Sequence, residues 1–237
     1  MHKSLGVILA RGGSKGVPRK NIINLRGKPI LAYTIEAAQS SKSLDHVVVS
    51  TEEEEIEKIS KDYGAEVIMR PTEYATDTAP MELSLRHAVN TMKEKGMKID
   101  IVVSLYACIP IRKQGIIDST IEKLISTEAD SVQTYAPFIT PPQWAYKIEG
   151  DKPELLNEKY RKAYRRQLLS PAYHPDGAVL AIRREILMRD TSNQSDPHAF
   201  MGNDRRAIIQ EPEATVDINE PVDLLWAEFL LERSAPN

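Results

Sequence analysis

Short apolar runs alternate along this chain with longer stretches whose apolar residues recur at helical spacing. Leu5-Gly-Val-Ile-Leu-Ala10 is apolar throughout, the pattern of a strand covered on both faces. His46–Ser50, Glu66–Met69, Asp130–Tyr135, Gly177–Ile182 and Ala207–Gln210 read as further strands, and Ile99–Leu105, the most apolar, as the central one. Pro29 opens a helix running to about Ser41, and Thr51 with Glu54 spells a capping box for a second that ends before Gly64. Leu85, Ala88, Val89 and Met92 fall at i, i+3, i+4 and i+7, so a third helix buries that stripe in the core. Gln114–Ser126 and an amphipathic Glu220–Glu232 complete the helices. This alternation predicts an α/β fold with a largely parallel central sheet.

From Ala136 to Pro175 the alternation stops. Pro137, Pro141, Pro142, Pro153, Pro171 and Pro175 punctuate the stretch around a charged helix, Glu158–Gln167. Residues 136–175 therefore read as an insertion in one body spanning 1–237, with no linker between two domains.

Charge narrows the ligand classes. Lys+Arg 31 against Asp+Glu 34 gives a formal charge of -3, so no surplus of cations exists to hold nucleic acid or an anionic membrane. Neither is an expected partner. The single cysteine, Cys108, rules out an internal disulfide and a cysteine-based zinc site, and its apolar setting predicts a buried, inert thiol. The run Leu5–Ala10 is too short for a leader or a membrane span, which predicts a cytoplasmic location.

An anionic ligand must then be gripped locally, and one segment is built for that. The loop after the first strand carries Gly12, Gly13 and Gly16, which let the backbone curl so that several N–H groups face one anion. Arg11, Lys15, Arg19 and Lys20 add four cations within ten residues, more than one phosphate needs but suited to a triphosphate. The loop fits neither G-x-x-x-x-G-K-[ST] nor G-x-G-x-x-G, which excludes a P-loop and a dinucleotide turn. The five histidines are scattered, so zinc is not expected. Mg2+ is, because it takes one or two carboxylates plus substrate phosphates, and Asp217 is the best such carboxylate. Asp223 reads as an exposed residue in the first turn of the last helix. In the basic run Lys159–Arg166 most cations read as a solvated helix face.

Ala10-Arg-Gly-Gly-Ser-Lys-Gly-Val-Pro-Arg-Lys-Asn21 resembles the first loop of the acylneuraminate cytidylyltransferases, the CMP-sialic acid synthetases. Val48-Val-Ser-Thr51, Arg70-Pro71 with Ala75-Thr-Asp-Thr78, Ala172-Tyr-His-Pro-Asp-Gly-Ala178 and Thr215-Val-Asp-Ile-Asn219 resemble later segments of that family, in the same order. The resemblance implies a three-layer, GT-A-like and Rossmann-like nucleotidyltransferase fold with a small inserted dimerisation element, and hence a homodimer. It implies CMP transfer from CTP to the anomeric hydroxyl of an acidic 2-keto sugar, releasing pyrophosphate. Arg11, Lys15 and Asp217 would then be catalytic, and Gly12, Gly13, Ser14, Lys20, Asn21, Arg70 and Thr78 would join Arg11 and Lys15 on the nucleotide. Tyr106, Arg166, Gln167, Tyr173 and Asp176 would contact the sugar.

Two segments depart from the family. Tyr106-Ala-Cys-Ile-Pro110 stands where a Gln-Pro-Thr-Ser-Pro type segment is usual, and Met81 stands near the base pocket. Asp217-Ile-Asn219 replaces Asp-x-Asp, which leaves two readings of Asn219: a neutral metal ligand, or the N-cap of the last helix. A nucleotidyltransferase of the same fold with another base or acceptor (Kdo-like, guanylyl or uridylyl transfer) stays open as the alternative, as does a non-catalytic binding protein.

Overall fold

The computed structural model describes residues 2–234. Seven strands form the main sheet: β1 (Ser4–Leu9), β2 (His46–Thr51), β3 (Glu66–Met69), β4 (Ile101–Tyr106), β5 (Ser131–Pro137), β6 (Tyr173–Arg183) and β7 (Arg205–Ile209). Their order is β7-β5-β6-β4-β1-β2-β3. All neighbours pair in parallel except β6, which runs antiparallel to both β4 and β5.

Among the described residues six α-helices accompany the sheet: α1 (Ile30–Gln39), α2 (Glu54–Asp62), α3 (Met81–Glu94), α4 (Ile116–Thr127), α5 (Arg184–Leu187) and α6 (Pro221–Ser234). Strand side chains alternate between faces, so Ile8 packs with Leu31, Ile35, Ile56 and Ile121 of α1, α2 and α4. Val7 packs on the opposite face with Leu85, Val89 and Met92 of α3. Each fully buried aliphatic side chain contributes roughly 2 kcal/mol, so packing of these stripes, more than helix propensity, holds the layers together. The expected core stripe Leu85, Ala88, Val89 and Met92 is buried throughout.

The topology sets the site. From β1 the chain builds outward through β2 and β3, then returns to place β4 on the other side of β1. The carboxyl ends of β1 and β4 therefore diverge into loops on opposite sides, which opens the crevice where such sheets bind ligands.

Local expectations failed where tertiary contacts took over. Strand β2 continues through Thr51, so Glu53 is the N-cap of α2 and Thr51 only accepts the Glu53 N–H, at 3.2 Å; the capping box does not form. The charged helix expected over 158–167 is two single 3-10 turns, Glu158–Tyr160 and Arg166–Leu168. That run has no apolar stripe to bury, and the Ala163 carbonyl accepts from Trp144 Nε1 at 2.6 Å instead of closing a helical turn. Between β5 and β6 stands a hairpin of Tyr146–Glu149 and Lys152–Leu155. Helix α6 buries Ala227 yet exposes Val222, Leu225, Trp226 and Phe229, so it is apolar on both sides and not amphipathic.

Candidate active site

Two cavities open at the β1/β4 crevice. The smaller, about 330 Å³, is walled by Arg11, Lys20, Asn21, Arg70, Met81 and the loop residues 74–77 and Ala79. The larger, about 630 Å³, lies toward β5 and β6. Tyr106, Asp217 and Asn219 line both.

The first loop delivers its charge to the smaller cavity. Arg11 and Lys15 converge on one carboxylate, Asp77, at 2.8 and 2.6 Å. The hydrogen bond from Lys15, then that from Arg11, holds Asp77 below the usual carboxylate range. Lys15 remains 83% exposed and so is open to an arriving anion. The Gly12 N–H donates to Glu52 Oε1 at 2.7 Å, and Glu52 Oε2 accepts from Arg70 Nη2 at 3.0 Å. Arg70 Nη1 donates to Ser84 Oγ at 3.0 Å. This buried pair ties the glycine loop to the far wall, and burial pushes the Arg70 guanidinium below its ordinary value.

Two polar groups here lack a protein partner. Asn21 donates from Nδ2 to the Arg11 carbonyl at 2.8 Å, which leaves its buried Oδ1 without a donor. Ser14 Oγ is likewise buried and unpartnered. Orphans of this kind are rare in folded chains and suit a ligand. Gly16 meets a different demand. A Cβ there would lie 2.2 Å from the Asn219 carbonyl oxygen, so only glycine lets the loop close on the 217–220 segment.

At the shared wall, Asp217 Oδ1 accepts from the Cys108 thiol at 3.0 Å and Oδ2 from Asn219 Nδ2 at 2.8 Å. Asn219 Oδ1 accepts from Lys20 Nζ at 2.9 Å. Cys108 is buried as expected, and burial pushes its thiol up to about 12, so it stays a protonated donor. Asn219 is not the N-cap of α6. That place is served from within the helix by Asp223, whose Oδ2 accepts the N–H groups of Asn219 and Glu220 at 2.8 and 2.7 Å.

The larger cavity is shaped by an irregularity in β6. The ladder with β5 shifts register between Pro175 and Leu180, where Gly177 takes a φ of +73°. A Cβ on Gly177 would lie 2.9 Å from the Tyr106 ring, so the glycine admits the tyrosine. Buried Asp176 accepts from Thr134 Oγ1, Gln210 Nε2 and the Ala178 N–H, which makes it a brace for the shifted strand. Arg112 stitches the same corner. It donates to the carbonyls of Ala178, Ile109 and Tyr106 at 2.9, 2.7 and 2.7 Å, and burial pushes its guanidinium down to about 10.

The crevice thus brings together Arg11, Lys20, Asn21, Arg70, Tyr106, Asp176, Asp217 and Asn219, with Lys15 at its rim through Asp77. Gly12, Gly13 and Ser14 form the loop beside it. It does not gather the rest. Thr78 is exposed and lines neither cavity, and Arg166, Gln167 and Tyr173 also lie outside both within their own chain. Sequence reasoning missed Asp77, Glu52 and the bracing role of Arg112. Only the four-cation loop hinted at the first two, since clustered cations call for counter-charges.

A divalent cation fits this donor set sparingly. Asp217 forms no salt bridge with Lys or Arg among the described residues, so its carboxylate can face a metal. No group of three or more His, Cys, Asp or Glu side chains that could hold a metal ion exists among them. One carboxylate completed by phosphate oxygens is a magnesium-type arrangement.

The sequence pattern of the cytidylyltransferase family matches residues 5–199. The chain belongs to the cytidylyltransferase family. It is an enzyme of that kind, and it is 35% identical over 178 residues to the pseudaminic acid cytidylyltransferase of Campylobacter jejuni, covering 74% of this chain and 76% of that one. It is 29% identical over 233 residues to the CMP-N,N'-diacetyllegionaminic acid synthase of Legionella pneumophila, with 96% of each chain covered. The fold is shared with a CMP:2-keto-3-deoxy-manno-octonic acid synthetase solved with CTP, at a TM-score of 0.73 and 18% identity over 98% of this chain and 100% of that one. This cytidylyltransferase therefore has the mostly parallel α/β sheet expected from its sequence. No helix among the described residues is long and apolar enough to cross a membrane.

Proposed function

We propose that the enzyme transfers CMP from CTP to the anomeric hydroxyl of an acidic nine-carbon 2-keto sugar, releasing pyrophosphate, with Mg2+ as its metal. The shared wall carries this reading. Ligands in the 330 Å³ and 630 Å³ cavities face one another across Tyr106, Asp217 and Asn219. The triphosphate takes Arg11, Lys15 and Lys20 together with the N–H groups of Gly12, Gly13 and Ser14, displacing Asp77 from its two cations. Asn21 Oδ1 accepts from the nucleoside, and Arg70 and the loop ahead of Thr78 flank the base.

The sugar hydroxyl oxygen bonds to the α-phosphorus, the bridging bond to the β-phosphate breaks, pyrophosphate leaves with the electron pair, and the hydroxyl proton passes to water. Arg11, Lys15 and Lys20 stabilise the charge that builds on the phosphate oxygens. Asp217 would hold Mg2+, whose charge would add to that neutralisation. Lys15→Ala is expected to lower turnover at least about 100-fold by removing one such donor. A near-normal steady-state rate in the folded variant would take Lys15 out of the reaction.

An acidic sugar also needs a cation, and no Lys or Arg among the described residues lines the larger cavity. Arg166, suited to a two-pronged grip on a carboxylate, lies outside it in the same chain. Exposed Ile139, Ile148, Tyr164 and Leu168, at 76%, 62%, 74% and 63%, stud the segment 136–175. These facts support a homodimer in which that inserted segment of a single-domain chain is the dimerisation element. Arg166, Gln167 and Tyr173 of one protomer then reach the sugar bound to its partner. Arg166→Ala should raise the KM for the sugar at least about tenfold while the KM for CTP holds steady. The opposite pattern would move Arg166 to the triphosphate. CTP as substrate and an unpaired thiol fit a cytoplasmic location.

Phosphorus NMR tests the reading. One pyrophosphate should appear for each CMP–sugar diester formed, whereas inorganic phosphate as the product would contradict it.

A further inference from the structure

The 217–220 corner is wired in a way that bears on how the metal arrives, given the cytidylyl-transfer reading above. Lys20 Nζ donates to the Ile218 carbonyl at 2.7 Å and to Asn219 Oδ1 at 2.9 Å. Asn219 Nδ2 donates to Asp217 Oδ2 at 2.8 Å. An ammonium can only donate and a carboxylate can only accept, so the amide has one orientation that satisfies both neighbours. Its oxygen is therefore engaged by Lys20, and its nitrogen, which cannot ligate a cation, faces Asp217. The backbone is fixed as well, since Asp223 holds the N–H groups of Asn219 and Glu220.

We propose that Asn219 acts as a spacer that fixes the Lys20 ammonium beside Asp217, so that the free protein has no standing divalent-metal site and takes the ion only as its complex with a nucleoside triphosphate. A cation approaching Asp217 alone would find one charged ligand and one neighbouring positive charge. The ammonium held across the amide weakens the pull of that single carboxylate, and a small, strongly hydrated dication does not shed water for so little. A metal–nucleotide complex brings its own oxygens and negative charge, so it meets Asp217 as a metal ligand and Lys20 as a phosphate partner. The ammonium is placed before the substrate enters, which removes the cost of ordering a long side chain during the reaction.

Changing the spacer tests this without reference to turnover. Asn219→Asp puts a second carboxylate at the corner, and Lys20→Met removes the ammonium and frees the Asn219 oxygen. Mn2+ is titrated into each folded protein without nucleotide, and free Mn2+ is followed by electron paramagnetic resonance. Asn219→Asp should bind Mn2+ at least about tenfold more tightly than the parent protein, since ligand charge count sets such affinities. Lys20→Met should also bind more tightly than the parent. Parent protein that binds Mn2+ as tightly as both variants overturns the proposal. A parallel titration with CTP keeps the two readings apart. Absence of CTP-dependent Mn2+ uptake by the parent counts against the nucleotide reading, while the comparison between free proteins stands by itself.

Discussion

Asp217→Asn should lower turnover by about 1000-fold at saturating Mg2+, the equivalent of about 4 kcal/mol in the transition state. Asp217 is the one Asp or Glu among the described residues that lines both cavities, so it is the carboxylate that can touch both reacting ligands. The amide is close in size, and with its oxygen kept toward Asn219 Nδ2, which Lys20 holds in place, its nitrogen meets the Cys108 sulfur, a weak acceptor. The change therefore removes charge more than shape. Asp217→Ala gives a second measurement in which both hydrogen bonds are gone. Steady-state kinetics with circular dichroism as a folding check decide the matter. A folded Asp217→Asn protein retaining more than about a tenth of the parent rate would show that the charge of Asp217 is not part of catalysis.

Arg112→Met should lower stability by about 3 kcal/mol, from three carbonyls that lose a donor at about 1 kcal/mol each. Those carbonyls belong to Tyr106, Ile109 and Ala178, so the loss falls where β4 ends and β6 shifts register. For a chain of this length that corresponds to about 6–12 °C in Tm. Thr34 Oγ1, which accepts from Arg112 Nη1 at 2.7 Å and lies 3.2 Å from both the Tyr106 and Ile109 carbonyls, can take over part of the deficit. A Tm within about 2 °C of the parent would mean that water satisfies these groups and that Arg112 does not brace the corner.

Much of this fold is legible in one dimension because its elements are made of local repeats. The apolar runs at Leu5–Ala10 and Ile99–Leu105 and the stripe through Leu85 and Met92 each carry their own period, and all three became elements of the predicted kind, the strands as Ser4–Leu9 and Ile101–Tyr106. The loop from Arg11 to Asn21 is legible for a similar reason, as glycines and cations crowd into a few residues. What the sequence conceals is pairing at a distance. Asp77 answers Arg11 across 66 positions, and Glu52 answers Gly12 across 40, with no local pattern to announce either. The 158–167 segment misled in the opposite sense. Its charged residues suit a helix, yet it has no apolar face to hold one against the body. Asn219 could be read as a ligand or a cap from its neighbours alone; only the positions of Lys20 and Asp217 fix which way its amide turns.

Pyrophosphate release offers the most direct test of the central claim. The enzyme is assayed with each of the four common nucleoside triphosphates against a set of acidic nine-carbon 2-keto sugars, with and without Mg2+. Release is expected with CTP and at least one such sugar, dependent on Mg2+, and little with the other triphosphates. No release with CTP and any sugar of that class, or equal release with another triphosphate, would contradict it.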